Sequence, residues 1–182
     1  MNNIHQAVTS AEWNIQTWNP EEIDFSKTKN LIKLLDKINQ TKEVKPIQSG
    51  IKCNVITTAG LRQMSLRNLP GDHTRTQNTH HAVGIGTRLE NLSDESLQSQ
   101  VGIKEIRSSA EQAGAERYAS FFAKSDVGNQ DRQITELGIF TAGMDGILFC
   151  RVTTDQPYAV NDTATTTAST RFTHKNGTQI PT

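Results

Sequence analysis

The sequence predicts an α+β fold, in which an N-terminal arm and helix precede a small domain with a mainly antiparallel sheet and one or two short helices. Three observations support this prediction. Apolar residues recur at helical spacing between residues 27 and 40. Two apolar runs, 134–142 and 147–154, are separated by only four residues. The stretch 161–174 is rich in threonine, which favours β-strands.

The polar stretch at residues 11–25, which we take as an N-terminal arm, holds both tryptophans of the chain, Trp13 and Trp18. Tryptophan is a favoured anchor at protein interfaces. We therefore expect the arm to dock its tryptophans, either on the rest of the chain or on a neighbouring subunit.

An amphipathic helix is predicted over about residues 27–40, with Ser26 as a candidate N-cap. Its apolar face consists of Leu31, Leu34, Leu35 and Ile38. Pro46 and Gly50 then indicate a linker. We place a domain boundary there, so that residues 1–50 form the docking arm and amphipathic helix, and residues 51–182 form an α+β structural domain.

The second region begins with a predicted strand at 51–57 and a helix capped by Thr57 or Thr58. A turn-rich loop at 70–80 leads to a short strand at 81–86. A further helix of one or two turns is predicted from Ser93, which is a candidate N-cap, to near Gly102.

The two apolar runs near the C-terminal end predict a β-hairpin, because the connection has glycine at both ends, Gly143 and Gly146. Placing Ala142 opposite Ile147 fixes its register. The further pairs are then Phe140 with Phe149, Gly138 with Arg151, and Glu136 with Thr153. The predicted core side carries Leu137, Ile139, Leu148, Cys150 and Val152.

The same register brings the charges of Glu136 and Arg151 within reach of an ion pair. The alternative is two unpaired charges on a solvated face. Gly138 would leave room for the Arg151 side chain to lie flat. The threonine-rich stretch is expected to form the last strand, with a polar outer face.

Charge and composition argue against several kinds of partner. Lys and Arg together number 19, as do Asp and Glu, so the chain lacks the basic field that most nucleic-acid-binding proteins carry. There is neither a signal-peptide pattern at the N-terminus nor a long apolar run, so no membrane partner is expected. Cys53 and Cys150 are expected to be small buried apolar residues in a reducing cytoplasm.

The sequence "HHAVGIGT" invites two chemical interpretations, a metal site and a phosphate loop. His73, His80 and His81 lie close together, but adjacent histidines in a strand point to opposite faces, and no further ligand motif accompanies them. Gly84 and Gly86 lack the third glycine and the long helix of a dinucleotide site. We expect neither a metal nor a cofactor here, and expect the two glycines to allow close approach of another backbone or an aromatic ring.

Nucleophilic catalysis is also not indicated. The sequence has no Gly-x-Ser-x-Gly motif, and neither cysteine lies in a polar, basic setting that would favour the thiolate. We therefore expect no enzymatic activity.

Two segments together carry a family resemblance: "HAVGIGT" with the following "LSDESLQSQVGIKEI", and "ITELGIF" with "DGILFCRV". Over about residues 51–175 the chain resembles the fibre-attachment and baseplate-associated proteins of tailed bacteriophages. The residues that carry the resemblance are Gly84, Gly86, Glu136, Gly138, Phe140, Gly146 and Arg151.

The resemblance implies a β-sandwich-like sheet and a non-enzymatic virion protein, assembled in the host cytoplasm as a homo-oligomer, often a trimer. It implies an adaptor in the tail, baseplate or fibre region that contacts other virion structural proteins. A capsid decoration, head-fibre or neck protein is the alternative. A carbohydrate- or metal-dependent binding module using His73, His80 or His81 is a third hypothesis of a different class.

Overall fold

The computed structural model describes residues 6–67, 78–112, 115–143 and 145–176. Two antiparallel sheets of five strands each pack face to face, accompanied by two α-helices. The predicted α+β class with a β-sandwich-like sheet is therefore confirmed. No helix in these four segments is both long enough and apolar enough to cross a membrane.

The first sheet has the strand order β2-β1-β10-β7-β6, and the second has the order β3-β9-β8-β4-β5. The strands are β1 (Gln6–Trp18), β2 (Gln48–Cys53), β3 (Val55–Ile56), β4 (His80–Gly84), β5 (Gln100–Glu105), β6 (Ser108–Gln112), β7 (Ala115–Phe122), β8 (Arg132–Phe140), β9 (Leu148–Val160) and β10 (Thr165–Asn176). The helices are α1 (Leu31–Thr41) and α2 (Thr58–Arg67), with 3-10 turns at Phe25–Lys27 and Lys124–Val127.

The N-terminal segment is a strand inside the sandwich, which corrects the prediction of a separate arm. β1 lies between β2 and β10 and pairs with β10 along its whole length, from Gln6 opposite Asn176 to Trp18 opposite Thr165. β2 itself crosses the predicted boundary at residue 50. Residues 1–50 and 51–182 therefore do not form separate units, because hydrogen bonds of a single sheet join them.

Both tryptophans are wholly buried within the chain, so neither is presented to a neighbouring subunit. Trp13 belongs to the core between the two sheets. Trp18 lies on the opposite face of the first sheet, beneath α1 and against Phe25. Its indole Nε1 donates to Thr167 Oγ1 at 2.9 Å. The tryptophans therefore do not dock on a neighbouring subunit. They pack against the rest of the chain, which was the other alternative.

The threonine-rich last strand is confirmed, but its polar outer face is not. β10 occupies the centre of the first sheet, and Thr166, Thr167 and Thr170 are buried. Their hydroxyls have partners inside the protein, as where Thr166 Oγ1 donates to Ala159 O at 2.9 Å. Threonine at these positions therefore satisfies polar groups in the interior.

Helix α1 is confirmed, although it begins four residues later than predicted and ends one residue later, at Leu31–Thr41. Its N-cap is Asn30, whose side chain accepts from Lys33 N, and not Ser26. Helix α2 is also confirmed. Thr57 Oγ1 accepts from Gly60 N at 3.0 Å and donates to Leu148 O at 2.6 Å, which ties the start of α2 to β9.

The predicted β8–β9 hairpin is present, and its register holds over most of its length. Gly138 lies opposite Arg151, and Glu136 opposite Thr153. A register shift follows Ile139, so Phe140 faces Leu148 instead of Phe149. Phe149 consequently joins the core between the sheets, whereas Leu148 packs on the other side of the second sheet.

The helix predicted from Ser93 to near Gly102 does not form. The chain makes turns and bends up to residue 99 and then enters β5. The physical reason is that the side chain of Asp94 is bound to Arg151, a residue distant in sequence.

Candidate functional site

A loop, residues 85–99, connects β4 to β5 and crosses the face of the second sheet that points away from the first. Beneath it lie Glu136 and Arg151, both wholly buried. Asp94, on the loop itself, completes an ionic cluster with them. We refer to Glu136, Arg151 and Asp94 as the loop clamp.

Arg151 uses all five of its N–H donors within the protein. Nε and Nη2 donate to Glu136 Oε2 at 3.0 and 2.8 Å. Nη1 donates to Asp94 Oδ2 at 2.8 Å and to Leu89 O at 3.3 Å. The second hydrogen of Nη2 reaches Arg88 O at 2.9 Å. The guanidinium therefore binds the first half of the loop from below.

Glu136 holds the two ends of the loop together. Its Oε1 accepts from Gly86 N at 3.0 Å and from Ser99 N at 2.6 Å. Its Oε2 accepts from Gln98 N at 2.9 Å as well as from Arg151. One carboxylate thus joins the residues that leave β4 to those that enter β5, and the predicted Glu136–Arg151 ion pair is confirmed.

Asp94 fixes the middle of the loop. Its Oδ2 accepts from Asn91 N at 2.8 Å, and its Oδ1 accepts from Arg88 Nη2 at 2.6 Å. Burial acts to raise the pKa of Asp94, but the hydrogen bonds from Asn91, Arg88 and Arg151 outweigh burial and hold the pKa below its usual value. Asp94 is thus bound to its tertiary partners, and the backbone N–H groups of Gln98 and Ser99 donate to Glu136 instead of to helical carbonyls, so residues 93–99 do not form the predicted helix.

Gly84 and Gly86 form the close-packed joint that the sequence predicts, but the neighbour is not an aromatic ring. A Cβ on Gly84 would lie 2.6 Å from Ser99 O and closer still to Glu136 Oε1. A Cβ on Gly86 would lie 2.6 Å from both Gln98 Cβ and Glu136 Oε1. Both glycines are therefore needed for the Glu136 carboxylate to reach the loop backbone.

Gly138 and Phe140 lie beside the clamp under the same loop. A Cβ on Gly138 would lie 3.0 Å from Leu97 Cδ2 and 2.9 Å from Leu148 Cδ1. The glycine thus makes room for Leu97 of the loop and not, as expected, for the Arg151 side chain. Phe140 packs with Leu97 and Leu148 in a small apolar cluster.

Gly146 belongs to the hairpin connection and not to the clamp. A Cβ there would lie 2.6 Å from Ala142 N, so the tight turn requires glycine. Of the residues that carry the family resemblance, the structure therefore groups Gly84, Gly86, Glu136, Gly138, Phe140 and Arg151, and places Gly146 apart.

Glu136 and Arg151 offer no open atom to a ligand, because the donors of Arg151 and both oxygens of Glu136 are engaged by the protein. The loop that it holds carries three partly exposed apolar side chains: Leu89 at 77%, Leu92 at 56% and Ile85 at 38% exposure. Leu92 also borders a surface cavity of about 550 Å³ between the loop and α2. The loop clamp can therefore hold the exposed apolar side chains of loop 85–99 in a fixed arrangement.

The histidines lie as strand geometry predicts, on opposite faces. His81 is wholly buried between the sheets, with Nδ1 2.9 Å from Ser120 Oγ and its ring 5.3 Å from that of Trp13. Burial lowers the pKa of His81 to about 3. His80 faces the other way, and its Nδ1 is 2.8 Å from Thr79 Oγ1.

These two histidines cannot hold one ion together. His73, the third histidine of the predicted group, lies outside the described residues. Within the described segments, no three side chains of His, Cys, Asp or Glu are grouped as a metal site requires.

Sequence reasoning missed Asp94, Leu89 and Leu92. Asp94 follows a serine, a pattern that also begins many helices, so its tertiary role left no local signal. Leu89 and Leu92 are two isolated apolar residues among polar ones, too few to establish a periodic pattern.

Comparison of the chain with protein-family models, with curated protein sequences and with solved structures gave no match.

Proposed function

We propose that the chain is a non-enzymatic structural protein of a tailed-phage virion, an adaptor in the tail, baseplate or fibre region that contacts neighbouring virion proteins through loop 85–99. The observation that carries this proposal is the loop clamp, which holds a loop with exposed leucines in a single conformation. The phage component of the proposal rests on the resemblance carried by the clamp residues and their glycines.

A buried ionic cluster is a poor source of stability, since desolvation of the charges offsets much of their attraction. Its usefulness lies in defining one geometry. A loop that is ordered before binding loses less conformational entropy when a partner covers it, so its apolar side chains contribute more to affinity. Leu89 and Leu92 are the candidate contact residues of the adaptor.

With loop 85–99 as the contact surface, Trp13 and Trp18 are no longer candidate docking residues, because both are buried inside the protein. The proposed partners remain other virion structural proteins together with further copies of the chain. Neither a nucleic acid nor a membrane is part of the proposal, in keeping with the balanced charge of the sequence.

The test is the protein content of purified particles. Quantitative mass spectrometry should find the chain in the virion at a low copy number, in multiples of about three or six, as symmetric tail structures require. Hundreds of copies would move the protein to the head as a decoration protein. Its absence from purified particles would overturn the proposal.

The loop is tested with the double variant Leu89→Ser, Leu92→Ser, and with Glu111→Ser, at an exposed position on β6, as the matched surface control. Both proteins should fold, because the substituted side chains are exposed. Only the control should enter particles when supplied to a phage that lacks the wild-type gene. Equal incorporation of the two would show that loop 85–99 is not the contact surface.

A further inference from the structure

Strand β2 is an open edge of the first sheet. It pairs with β1 on one side, and no strand pairs with its other side in the described parts of the chain. The other terminal strands differ from β2: β3 has only two residues and leads into α2, the backbone of Asp126 packs against Gly102 of β5, and the Ser108 hydroxyl of β6 accepts a hydrogen bond from Ile32 N of α1. An unpaired strand edge is a template for pairing with another strand.

The side chains that β2 turns outward are apolar or small. Ile51 is 66% exposed, and Ile47, just before the strand, is 64% exposed, with the exposed Ser49 between them. Natural proteins often protect such an edge with lysine. Here Lys52 points to the other face, where its Nζ binds Asp155 Oδ1 at 2.5 Å. No charge therefore guards the outward face of this edge.

The outward pattern reads the same in both directions about Ser49, as Ile47, Ser49, Ile51. An antiparallel neighbour related by a two-fold axis at Ser49 would place Ile47 of each copy opposite Ile51 of the other. It would also place Ser49 opposite itself. Such apolar cross-strand pairs stabilise a sheet, and a self-complementary surface is what a two-fold interface needs. The zero net charge of the chain removes general repulsion between copies.

We propose that β2 binds β2 of a second copy of this chain, antiparallel and centred on Ser49, so that two first sheets become one continuous sheet. This deepens the self-association that forms part of the proposed function. A two-fold contact closes on two copies, so the oligomer that it builds has an even number of chains and is not the trimer expected from the resemblance. One strand per copy covers less than a standard interface of about 1,600 Å², so the dimer should dissociate on dilution.

The test uses the full chain with Cys53, which is exposed, replaced by serine, and with Ser49→Cys added. Directly opposed residues of antiparallel strands have Cα atoms about 4.5–5.5 Å apart, within the range of a disulfide. Mild oxidation should link most of the protein into dimers. The control is Glu111→Cys on β6, at the opposite edge of the first sheet, in the same background, and it should stay monomeric on a denaturing gel.

A second variant, Ile51→Lys, measures the contact without a cross-link. The wild type should show a concentration-dependent dimer by light scattering. Ile51→Lys should be a monomer whose melting temperature equals that of the wild type at dilutions where the wild type is also monomeric, since the side chain is exposed. A wild type that is monomeric at all concentrations overturns both this contact and self-association. An oligomer that Ser49→Cys does not cross-link, or an odd number of chains, overturns the β2 contact alone. Neither result bears on whether the chain is found in purified particles.

Discussion

Arg151 Nη2 lies 2.8 Å from Glu136 Oε2, and both side chains are wholly buried on adjacent strands of the second sheet. The pair is completed by Asp94 and by backbone groups at both ends of loop 85–99. A buried charge that loses its partner is costly, because desolvation of the remaining group is no longer offset.

Glu136→Gln should lower the free energy of unfolding by about 3–5 kcal/mol, since Arg151 then keeps only Asp94 as an anionic partner. Urea denaturation measures the loss, and hydrogen exchange should show faster exchange at Gly86, Gln98 and Ser99. The control, Glu111→Gln at an exposed position on β6, should change stability by less than about 0.5 kcal/mol. A loss below about 1 kcal/mol for Glu136→Gln would contradict the role given to the clamp.

Gly84→Ala should be severely destabilising, and Gly84→Val more so, because the added Cβ overlaps Ser99 O and the Glu136 carboxylate. We expect the alanine variant to lose at least about 2 kcal/mol, since backbone must move to relieve the overlap. Thermal unfolding followed by circular dichroism checks this.

Gly128→Asn is the matched control for that glycine. Its φ is +78° and nothing lies within 4 Å of the added Cβ. Asparagine tolerates this left-handed conformation, so the cost should be no more than about 1 kcal/mol. Equal losses at Gly84 and Gly128 would show that close packing is not the reason for glycine at Gly84.

The free energy of unfolding should decrease as the pH is lowered through the range in which an ordinary histidine becomes protonated. Burial lowers the pKa of His81 from 6.5 to about 3. Between these values the unfolded chain binds a proton that the folded chain does not, so acid favours unfolding. Between about pH 6 and pH 5 the free energy of unfolding should drop with a slope approaching 1.4 kcal/mol per unit.

His81→Gln should flatten that slope, although it also lowers stability overall. His80→Gln, on the opposite face, should keep the slope. The carboxyl of Asp94, whose pKa is below its usual value, adds a loss only at lower pH. Identical slopes in the wild type and His81→Gln would exclude His81 as the source of the acid sensitivity.

The two thiols should react very differently. Cys53 is exposed on β2, which corrects the expectation that both cysteines are buried, whereas Cys150 is buried as expected, and burial raises the pKa of its thiol. A thiol reagent should label one cysteine per native chain and two after denaturation. Peptide mapping should place the native label on Cys53, and rapid native labelling of Cys150 would contradict the packing around β9.

The parts of the fold that were predicted correctly depend on neighbours in sequence. Helix α1 follows from apolar spacing, and the Glu136–Arg151 pair follows from the register of one hairpin. The cap at Thr57 is equally local. In each case the partner lies within about fifteen residues, so periodicity and turn chemistry contain the necessary information.

The predictions that failed depend on distant partners. The stretch around Trp13 and Trp18 looked unsupported because the strand that pairs with β1 along its whole length is β10, at the other end of the sequence. The local sequence around Asp94 favours a helix, but the Asp94 carboxylate instead accepts a hydrogen bond from Arg151, which lies far along the chain. The register shift after Ile139 has no signal in the two apolar runs themselves. Tertiary contacts override local preference at all three places.

The pairing of β1 with β10 has a consequence for how the protein is made. Thr167 of β10, the hydrogen-bond partner of Trp18, is synthesised 149 residues after it, so the tryptophans of β1 find their final surroundings only after the intervening chain has been made. Contacts between such distant segments form slowly. A nascent chain in which β10 has not yet been made therefore lacks the strand that pairs with β1, and its apolar surface stays uncovered during that time.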